Sequence, residues 1–264
     1  TAQYYSTFQS QLLNKVSKVT AANADPLDVQ RSILQSSIDF KPQGSAKTLN
    51  DTINEYGKKK AGQFNQIVAD GMLEGRTGVE MTREVSEALN ISKRQAESLV
   101  RTSTNKAANV GRLESFKANN DILEGVEDVA VFDSRCTPYC RQVDGRVRAL
   151  DEVKESPAYH FGCRTQLVAV IIDKFADPTI SGERNAEGGK VTANTSYSGW
   201  LRTQDTEFQN EALGVTRAKL WRDGGLTMDK FVDPTGKTLT LEQLAAVDAQ
   251  AFEKANIALP GVST

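Results

Sequence analysis

The sequence predicts an α+β fold, mostly helical, with a small antiparallel β unit holding a Cys3His zinc site. Three observations predict it. Apolar residues recur at helical spacing through the first half and the last quarter of the chain, and three short Val-rich runs lie between Asp128 and Ile172. Those runs bracket the stretch "CTPYCRQVDGRVRALDEVKESPAYHFGC", which contains all three cysteines and the only histidine of the 264 residues.

Taken in order, Tyr5, Phe8, Leu12, Val16 and Val19 form a helical apolar stripe, and "DPLDVQ" announces a second helix with Asp25 as cap and Pro26 at its first position. The linker "FKPQGSAK" precedes another helical pattern, Leu49, Ile53 and Tyr56, then Phe64, Ile67 and Val68. Between them Lys58 to Lys60 read as a solvated face or as a phosphate contact. Thr77 with Glu80 and Ser92 with Gln95 have the capping-box form. After them Met81, Val85 and Leu89 line one helix, and Ala96, Leu99, Val100, Ala107, Val110, Leu113 and Phe116 line a longer one. Lys93, Arg94, Arg101, Lys106, Arg112 and Lys117 outnumber Glu97 and Glu114 along it, so its outer face is expected to be positive: a solvated face, or a contact for nucleic acid or an acidic partner.

The three strand candidates are "DVAVFD", "GRVRAL" and "TQLVAVII". Residues 174–198 lack periodicity and read as a linker or arm. The tail "SGWLRTQDTEFQNEALGVTRAKLWRDGGL" returns to helix, and Thr240 with Gln243 caps another. This gives a helical region at 1–74, a central α+β domain at 75–173, the arm at 174–198 and a helical region at 199–264.

Composition narrows the function classes. With 32 basic and 34 acidic side chains the net charge is -2, against a surface that coats nucleic acid throughout. The run "LVAVII" is far too short to span a bilayer, and the first residues lack the apolar centre of a signal peptide. The expected location is a cytosol or the inside of an assembled particle, with no membrane contact. An odd cysteine count also argues against a disulfide framework.

Cys136 and Cys140 form a C-x3-C pair, and His160 and Cys163 an H-x2-C pair. Each pair lets one turn supply two ligands, and three thiolates with one imidazole fill a tetrahedral zinc, leaving no position for substrate. The expected role is therefore structural. Two other readings stay open: a Cys–His nucleophile pair, which leaves two cysteines unexplained, and ordinary buried cysteines. Iron in the same ligand set is not distinguishable from spacing.

The helix "SLVRTSTNKAANVGRLESFK", then "FDSRCTPYC", "DGRV" and "HFGCR", together resemble the phage minor head protein family, the Mu F-like head morphogenesis proteins. The tail from Tyr197 is similar to the C-terminal region of some members. The resemblance implies a virion component made in few copies, bound to portal or major capsid protein near the portal vertex, assembled in the host cytoplasm, and in some relatives ejected with the DNA. It implies self-association and weak contact with packaged DNA as further options. It also implies metal ligation by Cys136, Cys140, His160 and Cys163. This chain departs from the family's common C-x2-C first pair and from its "CRC" ending, where it has Cys163, Arg164 and Thr165. Relatives fused to toxin or transferase domains supply the rival, an enzyme delivered with the genome, for which Trp200, Arg202, Gln204, Gln209, Arg217, Trp221 and Arg222 are the residues to inspect. No second catalytic constellation is legible, so a non-enzyme is expected.

Overall fold

Helix ends follow the caps. The computed structural model describes residues 11–15, 17, 20–36, 47–177, 179 and 182–260; Tyr5, Phe8, Val16, Val19 and residues 40–46 lie outside them. Asp25 accepts from the Leu27 amide (2.8 Å) ahead of α1 (Pro26–Ser36). Reciprocal capping boxes open α2 (Leu49–Asn54, from Thr48), α4 (Gly78–Leu89, from Thr77) and α5 (Lys93–Lys117, from Ser92), while α3 (Lys58–Glu74) stops at the left-handed Gly75. Lys58 and Lys59 are exposed, and Lys60 donates to the Leu89 carbonyl at the end of α4 (2.7 Å).

The observed class is α+β, about half helical, with a small sheet. The chain forms two compact units, one of residues 1–128 and 146–180, the other of 129–145 and 181–264. In the first, α5 packs against α1, α4 and β3. The sheet has the order β2 (Val147–Arg148), β1 (Leu123–Val129), β3 (Gln166–Ile171), and β1 pairs antiparallel with β2 through Val126 opposite Arg148. Leu113 and Phe116 from the helix meet Ile122, Leu123, Val126 and Leu167, with Leu13 and Ala21 closing the cluster. In the N-terminal stripe it is Leu13 that is buried, whereas Leu12 is exposed.

The first strand lies about one turn of chain earlier than "DVAVFD" predicted. Glu124 and Glu127 disguise it, and Gly125 reads in sequence as a break. In the sheet that glycine is a close approach: a Cβ there would collide with the Arg148 carbonyl of β2.

The second unit begins with a turn and α6 (Pro138–Val143). Residues 174–198 include an antiparallel hairpin, β4 (Glu183–Ala186) with β5 (Gly189–Thr192), and Ala186 of this hairpin bridges to Phe132. The tail is three short helices rather than one: α7 (Tyr197–Leu201), α8 (Thr206–Leu213, capped by Asp205) and α9 (Val215–Arg222). Gly214, at φ +80°, separates the last two. A 3-10 turn at Met228–Phe231, α10 (Leu241–Val247, with the Thr240 capping box) and α11 (Ala249–Lys254) complete it. Its core is aromatic: Phe132 stacks on Trp200 (5.4 Å), Tyr197 meets both edge-on, and Trp221 and Phe252 are fully buried. Among the described residues no helix is long and apolar enough to cross a membrane.

Candidate metal centre

Two turns carry the cysteines and the histidine. In one, the Cys136 amide donates to the Asp133 carbonyl (3.3 Å), Thr137 caps α6 by accepting from the Cys140 amide (3.4 Å), and Pro138 takes the first helical position. That is local chemistry, and the sequence "CTPYC" spells it out.

The other turn, His160 to Cys163, is held from outside by one helix. Thr102 accepts from the Gly162 amide (2.8 Å), and Asn105 donates to the carbonyls of Cys163 (3.0 Å) and Thr165 (3.2 Å). Asn109 donates to Thr165 O (3.2 Å) and accepts from the Leu167 amide (2.8 Å), fixing the start of β3. Lys106 donates to Ser156 O (2.6 Å). These four polar residues, at spacings of three and four, form a stripe along α5 in which Thr102, Lys106 and Asn109 are buried and Asn105 is half-buried. The sequence reading missed them by attending to the apolar positions; the available signal was Thr and Asn recurring at helical spacing within the buried face.

Cys136 and Cys140 sit on one turn of the second unit, and His160 and Cys163 on one turn of the first. All three cysteines are buried and His160 is half-buried. Its Nδ1 lies 2.9 Å from the Phe161 carbonyl, and in the tautomer that donates there Nε2 keeps its lone pair for a ligand. Burial by itself would lower the imidazole's pKa; the hydrogen bond and charge of Cys163 and the Phe161 carbonyl outweigh it, and the net direction is upward. The donors thus fit a soft divalent cation.

The basic residues of α5 divide. Lys93 and Arg94 are exposed, Arg101 pairs with Glu97, Lys117 with Glu114 (2.9 Å), and the half-buried Arg112 donates to Asn109 (3.1 Å). Lys106 does not belong to the outer face: it is 4% exposed, because its position falls in the polar stripe. Burial lowers its ammonium to about 8, against the charges of Glu155 and Cys163, which favour the proton.

The tail residues singled out for an enzyme are engaged in structure. Trp200 and Trp221 are buried, and Arg202 lies over the Trp221 ring (4.6 Å). Gln209 donates to Leu201 O (3.2 Å) and Gln204 O (2.9 Å) and accepts from Arg222 (3.0 Å), and Arg217 donates to Leu239 O (2.8 Å).

Residues 62–168 match the family model described as Phage Mu protein F like protein. That segment runs from α3 to the start of β3, and so includes both turns and the helix that holds one of them. Neither the curated proteins nor the solved structures contain a match.

Proposed function

We propose that this chain, a Phage Mu protein F like protein through residues 62–168, is a structural minor component of a tailed-phage head. The family match carries the reading. It is supported by the tail, where the tryptophans and glutamines that an enzyme would need at a surface are committed to internal packing and carbonyl bonds. The proposed partners are the portal protein or the major capsid protein, with further copies of the chain and packaged DNA as weaker contacts, and the proposed location is the virion at its portal vertex. Departure with the DNA belongs to the same proposal.

The metal proposed is zinc, held by Cys140, His160 and Cys163, with Cys136 as the fourth ligand of a Cys3His set. When bound, it would supply folding free energy and no chemistry. One zinc per purified chain by elemental mass spectrometry, lost in Cys163→Ser, is the expected result. A metal-free, folded protein would remove the zinc.

The head assignment is tested separately, by expressing the chain with the portal and capsid proteins of the phage that encodes it and assaying purified heads. A few copies per head are expected. A folded chain that remains wholly in the soluble fraction would overturn the reading.

A further inference from the structure

The second unit contains a pocket of about 110 Å³ lined by Pro138 and Arg141 of α6, Ala212 and Leu213 of α8, Arg217 of α9, and Met228, Phe231 and Thr238. Two arginines line it, and no acidic side chain does. Elsewhere in this unit a buried arginine is closed by a carboxylate: Arg184 meets Asp144 at 2.5 Å, both almost wholly buried. Among the described residues neither Arg141, which is buried, nor Arg217, which is half-buried, has such a partner. Arg141 is 7% exposed, spends Nη2 on the carbonyls of Ser134 (3.2 Å) and Ala212 (2.7 Å), and lies over the Tyr197 ring (5.0 Å). Arg217 spends Nη2 on Leu239 O. The Nε of each is buried with no hydrogen-bond partner.

A buried cation without a counter-charge is costly, and carbonyl dipoles offset only part of that cost. An anion entering the pocket would complete the pairing with charge-assisted bonds. The walls restrict which anion. Leu213, Met228, Phe231 and Pro138 are apolar, which favours a ligand with a short hydrocarbon stem over a strongly hydrated inorganic ion. The volume lies below the ~300–1,000 Å³ of ordinary small-molecule pockets, which excludes a nucleotide and fits one side chain.

We propose that this pocket binds a carboxylate on a short apolar stem, between Arg141 and Arg217. A glutamate side chain of a partner polypeptide and a free dicarboxylic acid share that chemistry.

The test is calorimetric titration of the whole chain with glutarate, with the acetylated and amidated tripeptide Ala-Glu-Leu, and with inorganic phosphate. Two variants accompany it. Arg217→Gln removes one cation, and Ala212→Leu fills the pocket while keeping both; circular dichroism checks that each is folded. Saturable binding of a carboxylate probe, with phosphate at least about tenfold weaker and affinity lost by about tenfold or more in each folded variant, is expected. Binding of the tripeptide in preference to glutarate assigns the source to a polypeptide, and the reverse to a metabolite. Should Arg217→Gln fail to fold, Ala212→Leu decides alone. No binding by either carboxylate, equal binding of phosphate, or binding unchanged by filling the pocket would overturn the proposal.

Discussion

A buried carboxylate of the first unit and two arginines of the second are satisfied in different ways. In the first, Asp128 is fully buried and surrounded by opposite charge: Arg146 Nε (3.0 Å), Arg148 Nη2 (3.0 and 3.1 Å) and the Tyr159 hydroxyl (2.5 Å) all donate to it. Burial, then the Asp128 charge, pushes the Tyr159 phenol far above its usual range, so it stays a donor at any ordinary pH. In the second, Arg184 is closed by Asp144, but among the described residues Arg141 meets carbonyls and a ring, and Arg217 a carbonyl, with no carboxylate. A hub closed by its own side chains is structural, tying β1 to β2 and to the chain before His160. A pair of cations closed only by dipoles has capacity left for a ligand.

The largest expected effect breaks the closed hub. Asp128→Ala leaves two guanidinium groups and a hydroxyl without their acceptor and should cost about 3–5 kcal/mol in urea unfolding. A cost below about 1 kcal/mol would mean that water replaces the carboxylate and that the contrast between the two clusters is empty.

Asn109→Ala comes next. It removes a bond to Thr165 O, which keeps its bond from Asn105, and strands the Leu167 amide, with an expected loss of about 2 kcal/mol. Hydrogen exchange sharpens the reading: the Leu167 amide should lose protection more than amides in the second unit do.

Lys106→Met has the smallest net effect, because relief from burying an ammonium is offset by the lost bond to Ser156 O. Its pH dependence is the readout. The folded pKa of about 8 lies below the ordinary lysine value of 10.5, so between these the unfolded chain binds more protons and stability rises with pH. The penalty is fully present below about pH 8 and fades by about pH 10.5. The variant should therefore gain most on the wild type at pH 7, by no more than roughly 3 kcal/mol before the lost bond is counted, and the gain should vanish by about pH 10. Parallel melting curves across that range would show that Lys106 is hydrated.

Much of this was written in short stretches. Capping boxes at Thr77, Ser92 and Thr240, the Pro26 and Pro138 starts, and the apolar spacing of α4 and α5 depend on residues within a few positions of one another, so the sequence determines them by itself. The C-x3-C and H-x2-C pairs are legible for the same reason. What only the tertiary structure decided involves residues far apart in the chain. Lys106 counted with the basic face until the stripe of Thr102, Asn105 and Asn109 turned it inward, and Gly125 looked like a break until Arg148 came against it. The pocket lined by both Arg141 and Arg217 belongs to the same kind. Periodicity reports which face of an element is buried, but a buried polar side chain takes its meaning from its partner, and the partner is chosen only when the chain folds back on itself.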